Sequence, residues 1–159
     1  MIMKENAVYK PVFRYSHTIG QLGPTGPSFD HPVAIARGSE ELIYVVNRGY
    51  DAQPSHVRVT ICTVGEDYMG EFATGGSEDG QLTWPTAIAL DKDGNAYVAD
   101  EDLQRISMFS KEGEWLGKWG IQGDKDGQFN RPSGLAFDSD DNLFLVDSVN
   151  NRIQKFTKD

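Results

Sequence analysis

Apolar and polar residues alternate along this chain in short runs, and Gly, Pro, Asp and Asn cluster between the runs. Alternation with a period of two places successive side chains on opposite faces and predicts half-buried β-strands, with the clusters as turns. No stretch repeats its apolar residues at the 3.6-residue spacing of a helix, so a helical bundle or a wound α/β fold is not expected.

The strands recur in columns. Ala34, Ala87 and Gly134 stand in one, Ile35, Ile88 and Leu135 in the next, and Ala36, Ala89 and Ala136 in the third, which puts small side chains on one face and large ones on the other. A second strand carries Tyr44, Tyr97 and Phe144. It is reached through "DKDGN" and "DSDDN", tight hairpin turns whose Asp, Gly and Asn tolerate positive φ. A third strand aligns Val59, Ile106 and Ile153, then Cys62, Phe109 and Phe156, and a fourth aligns Tyr68 and Phe72 with Trp115 and Trp119.

Pro85 and Pro132 head copies 47 positions apart, whereas Pro32 and Pro85 are 53 apart. The difference falls in one place. Asn47 to Arg58 takes 11 steps, whereas Asp100 to Arg105 and Asp147 to Arg152 take 5. Four antiparallel strands in about 47 residues form the blade of a β-propeller.

The copies "RPSGLAFDSDDNLFLVDSVNNRIQKF" and "WPTAIALDKDGNAYVADEDLQRISMF", and the first half of a third, "HPVAIARGSEELIYVVN", resemble the NHL repeats of β-propellers. Those blades read as Pro, a small-hydrophobic strand, an Asp-Gly-Asn turn, a strand ending in Asp, then Asn-x-Arg and an aromatic. The resemblance covers the chain from Ser16 onward and implies an all-β fold with rings of about six blades. It says little about activity, because propellers host unrelated functions.

One domain, 1–159, is expected, with repeats at about 29–72, 82–119 and 129–156. Tyr15 and Ile19 precede Pro32 by the steps that separate Trp115 and Trp119 from Pro132, which predicts a lone fourth strand at about 12–20. Three blade equivalents with permuted termini leave a ring open, its flanks and a strand edge exposed. Either a homodimer completes a six-bladed ring, each N-terminal strand finishing the partner's last blade, or further C-terminal blades belong to a longer chain.

Composition narrows the partners. With 15 Lys+Arg against 24 Asp+Glu the formal net charge is -9, which disfavours nucleic acid. No apolar run reaches signal-peptide or membrane-spanning length, so a soluble protein, cytoplasmic by default, is expected. The single cysteine, Cys62, makes no intramolecular disulfide and is taken as a core residue.

The inserted loop, Arg48 to His56, joins the second strand to the third on the face where the first strands are entered. Its Arg48, Tyr50, Asp51 and His56 offer charge, stacking and a titratable group, against the plainer reading of a solvated cover. Asp100 with Arg105, and Asp147 with Arg152, are read as structural clamps made by bidentate pairing, weakened in the first copy by Asn47.

The turns are not calcium loops. An EF-hand needs Gly at its sixth position and Glu at its twelfth, and these are Ala96 and Asp102 after Asp91, Leu143 and Val149 after Asp138. In the family's amidating lyases a zinc-holding histidine follows the repeat proline; here that position is Val33, Thr86 and Ser133, with His31 before its proline instead. A zinc site would need His17, His31 and His56 to converge, which their spacing does not suggest.

Trp84, Trp115 and Trp119 could stack on a sugar, but the last two stand in the fourth-strand column, where packing between blades explains them. A non-enzymatic scaffold binding a protein or small ligand at the loop-bearing face is therefore expected, with no catalytic residue, metal or cofactor. The alternatives are a metal-dependent propeller enzyme of lyase or lactone-hydrolase type and an RNA-binding domain.

Overall fold

Each copy of the repeat folds into its own antiparallel sheet in the computed structural model, which describes residues 13–49 and 53–158. The first sheet runs β1 (Pro32–Arg37), β2 (Leu42–Asn47), β3 (Arg58–Thr63) and β4 (Tyr68–Phe72) in spatial order. After two short strands, β5 (Thr74–Gly75) and β6 (Gln81–Leu82), the second sheet repeats the order with β7 (Pro85–Leu90), β8 (Ala96–Asp100), β9 (Arg105–Phe109) and β10 (Trp115–Trp119). The third has β11 (Pro132–Phe137), β12 (Leu143–Asp147) and β13 (Arg152–Phe156). The described part of the insertion includes a 3-10 turn, Pro54–His56.

The registers match copy for copy. Pro32 faces Asn47, Pro85 faces Asp100 and Pro132 faces Asp147, and each ladder slips by a bulge directly after the proline. Proline lacks the N–H a ladder needs, so it sits where the first strand begins. The turns close on side chains: Asp91 Oδ1 accepts from the N–H groups of Asp93 and Asn95, and Asp138 Oδ1 from those of Asp140 and Asn142.

The strands β1, β7 and β11 lie side by side, and the core fills the junctions between sheets. At the first junction Phe72 meets Phe109 at 4.8 Å, and the Trp115 indole meets Phe109 edge-on at 5.6 Å. At the second, Trp119 packs on Phe156 at 6.2 Å and on Tyr97 at 6.0 Å. These two tryptophans are thus packing residues. Cys62 is buried, and burial pushes its thiol pKa up.

Residues 13–20 depart from the fourth strand expected at about 12–20: they enter no sheet, and Phe13 and Tyr15 are exposed. A fourth strand needs a third strand to pair with, and β13 has no neighbour on its outer edge among the described residues. Residue 12 lies outside the described residues.

Candidate binding face

One end of the sheets gathers the loops that enter the first strands and those that join second to third. Backbone bonds tie the two loop sets together in every copy: Gly49 N donates to Asp30 O, Glu101 N to Trp84 O and Val149 N to Asn130 O. A fully buried side chain at the end of each second strand anchors the entry loop. Asn47 Oδ1 accepts from Asp30 N at 3.0 Å, Asp100 Oδ2 from Thr83 N at 2.7 Å and Asp147 Oδ1 from Asn130 N at 2.7 Å.

The arginine column does something the sequence reading missed. Arg105 reaches across to the segment Gly76–Leu82, where its guanidinium donates to the carbonyls of Ser77, Glu78 and Gln81 at 3.0, 2.9 and 2.9 Å. Arg152 donates likewise to Asp124, Lys125 and Gln128, and Arg58 to Gly23, Ser28 and His56. The clamp is therefore arginine to loop carbonyl.

The expected Asp147–Arg152 pair exists, Nε to Oδ2 at 2.8 Å. Burial pushes the Asp147 carboxyl up, but hydrogen bonds from Asn150, Asn130 N and Arg152 outweigh it and leave the pKa lowered. The Asp100–Arg105 pair is corrected: Asp100 spends its oxygens on the N–H groups of Thr83, Trp84, Asp102 and Leu103, and Arg105 Nε finds no hydrogen-bond partner among the described residues. In the first copy Arg58 Nε lies 3.2 Å from Glu71 Oε2, a charge contact off the hydrogen-bonding direction.

Arg48 and His56 of the inserted loop both lie on this face, in different settings. Arg48 spans to the next sheet, its guanidinium 4.7 Å from the Trp84 ring centroid and its Nε donating to Pro85 O at 3.2 Å. His56 Nδ1 meets Asp30 Oδ2 at 2.6 Å, and His31 Nδ1 meets the other oxygen, Oδ1, at 2.7 Å. One buried carboxylate thus fixes two imidazoles, an arrangement that uses His31, Asp30 and Trp84 as well as the loop. Tyr50 and Asp51, the other two loop candidates, lie outside the described residues.

The third histidine does not converge with these. His17 Nε2 sits 3.3 Å from Val64 O, at the opposite end of β3. Among the described residues no group of three or more His, Cys, Asp and Glu side chains is placed to hold a metal ion. No helix among the described residues is long and apolar enough to cross a membrane.

Residues 129–156, the third copy, match the family model of the NHL repeat. No curated protein matches the chain in sequence. Among solved structures the chain is similar to a streptogramin B lyase, with a TM-score of 0.59 at 12% identity over 81% of this chain and 38% of that one. A gluconolactonase from Xanthomonas campestris superposes with a TM-score of 0.52 at 19% identity, over 76% and 36%. Virginiamycin B lyase from Staphylococcus aureus gives 0.52 at 9%, over 86% and 42%. These neighbours are β-propeller proteins, and the likeness shows the fold; the chain spans less than half the length of each.

Proposed function

We propose that the three sheets are blades of a propeller in permuted order and that the chain is a binding scaffold, recognising a peptide or small molecule through the loop-bearing face. One observation carries this: His31 and His56 held on Asp30, on the face where the Arg48 guanidinium lies against Trp84. Guanidinium, imidazole and indole together suit a ligand that presents an anionic group beside an apolar or aromatic one. The rings are held before any ligand arrives, so little ordering entropy is lost on binding.

Amide chemical-shift mapping tests this with acidic aromatic peptides and gluconate as probes. Shifts should concentrate on Asp30, His31, Arg48 and Trp84 and vanish when Arg48, Tyr50 and His56 are replaced together by Ala, with the fold intact. Shifts centred on the opposite face, or none at all, would overturn it.

A second reading is a metal-dependent enzyme of lyase or lactone-hydrolase type, supported by the same pair of carboxylate-anchored imidazoles. A carboxylate behind the ring is the usual support of a metal-binding histidine, and Asp30 gives one oxygen to each imidazole. Near-stoichiometric metal in purified protein together with hydrolysis of gluconolactone would favour it over the scaffold.

A further inference from the structure

Two parts of the chain are unpaired in complementary ways. The strands β3 and β9 each carry an outer strand, whereas β13 carries none among the described residues. Residues 15–19 hold the same column of side chains as those outer strands, Ile19 with Phe72 and Trp119, Tyr15 with Tyr68 and Trp115. Their placement agrees. Phe72 packs on Phe109 and Trp119 on Phe156, and Ile19 packs against the cluster that contains Cys62, the residue of that same column. Ile19 therefore lies against the first sheet as its column-mates on the outer strand of a preceding sheet do, while Tyr15 stays exposed.

The flanks match in the same sense. Val46, Val59, Ala99 and Ile106 are fully buried against the following sheet, but their column-mates Val146 and Ile153 are 39% and 69% exposed. On the opposite side of the first sheet Ile35 is 64% exposed where Ile88 is 6%. A cavity of about 280 Å³ also opens beside Tyr97, Trp119, Leu143 and Phe156. At the preceding junction the Trp115 indole packs on Phe109 and against the cluster that contains their column-mates Tyr44, Phe72, Ala96 and Phe109. Tyr15 is the residue of the Trp115 column.

We propose that a second copy of this chain covers both flanks, residues 15–19 of each copy adding to β13 of the other as an antiparallel outer strand. The flank of Val146 and Ile153 then meets that of Ile35 and Val45 of the other copy. A two-fold operation makes both contacts at once, so three blades and three blades close one ring of six and no flank stays open. This rests on the blade reading above and is independent of what the loop face binds.

The register is specified twice over. Val59 faces Phe72 and Thr60 faces Glu71 in the first sheet, and Ile106 faces Trp119 and Ser107 faces Lys118 in the second. Carried to β13, both copies pair Ile153 with Ile19 and Gln154 with Thr18. Beyond that point both ladders slip near a glycine of positive φ, Gly70 at 143° and Gly117 at 159°, where this segment has His17. The prediction is confined to the half before the slip.

Light scattering behind a sizing column should give twice the 17.6 kDa of the chain. Ile153→Lys, at an exposed position of the single chain, should halve that mass without altering the circular dichroism. Thr18→Cys with Gln154→Cys should cross-link the dimer under mild oxidation, since paired positions in a ladder lie within disulfide reach; Thr18→Cys with Lys155→Cys, one step out of register, should not. A monomeric parent chain overturns the proposal and leaves the edge of β13 to a continuation of the chain. Mass that grows with concentration overturns ring closure, and a dimer indifferent to Ile153→Lys that fails to cross-link overturns this interface.

Discussion

Removing the Asp100 carboxylate tests whether the loops of the binding face are held by side chains rather than by their own backbone. Asp100 is fully buried and accepts from four N–H groups, those of Thr83, Trp84, Asp102 and Leu103. In Asp100→Ala all four lose their acceptor. Trp84 and Asp102 are exposed, so water replaces the carboxylate there, while the partly buried Thr83, at the entry to β7, and Leu103 depend on it. Two orphaned N–H groups at about 1–3 kcal/mol each give a loss of about 3 kcal/mol. In a domain of this size that lowers Tm by roughly 6–12 °C.

Asp100→Asn should cost less, about 1 kcal/mol, because one acceptor oxygen remains and the new amide can donate to Ser107 Oγ, a buried hydroxyl with no hydrogen-bond partner among the described residues. The first copy shows the arrangement, with Asn47 Nδ2 donating to Thr60 Oγ1 at 3.0 Å. Adding Ser107→Thr to Asp100→Asn copies it and should recover part of the loss. Urea unfolding followed by circular dichroism reads the differences at constant m-value. Asp100→Asn as costly as Asp100→Ala, or Asp100→Ala costing under about 1 kcal/mol, would refute the reasoning.

Phe109→Ala, at a 1% exposed ring between Phe72 and Trp115, should cost about 3–5 kcal/mol in the same assay. Gly113→Ala should be far worse than Gly127→Ala: both have positive φ, 87° and 76°, but a Cβ at Gly113 would stand 2.7 Å from Phe72 Cβ and one at Gly127 meets open space. The hydrogen bonds from Asn142 hold the Asp138 carboxyl down to about 2 from 3.8. A depressed carboxyl stabilises the fold above its unfolded pKa, so the gap in Tm between the parent and Asp138→Asn should be full above pH about 4 and close as pH falls towards about 2. A gap unchanged over that window would contradict it.

The strands were legible because their information is local. Alternation, a proline at each first strand and Asp-Asn turns are all read within a few residues, and the ladders repeat them copy by copy. The six-residue excess falls between Asn47 and Arg58, as expected, and the structure describes there a 3-10 turn, Pro54–His56, whose Pro54 O accepts from Thr74 Oγ1. What failed was pairing across distance. Asp100 and Arg105 stand directly opposite in β8 and β9, which makes a salt bridge the obvious guess, yet Arg105 turns to carbonyls 24 to 28 positions earlier.

A signal for that partner was present. "GPTGPSF", "GSEDGQL" and "GDKDGQF" recur at the spacing of the prolines, and each closes with a parallel bridge, Leu22 to Phe29, Gly75 to Leu82 and Gln122 to Phe129. A glycine-punctuated loop that returns on itself exposes carbonyls inward, and buried carbonyls require a donor. The arginine of each copy is the long, forked side chain able to satisfy several at once. The same logic separates the two ends of the chain: residues 15–19 carry the side chains of an outer strand, but a strand exists only where a partner edge supplies its hydrogen bonds, so column identity alone placed the segment without making it β.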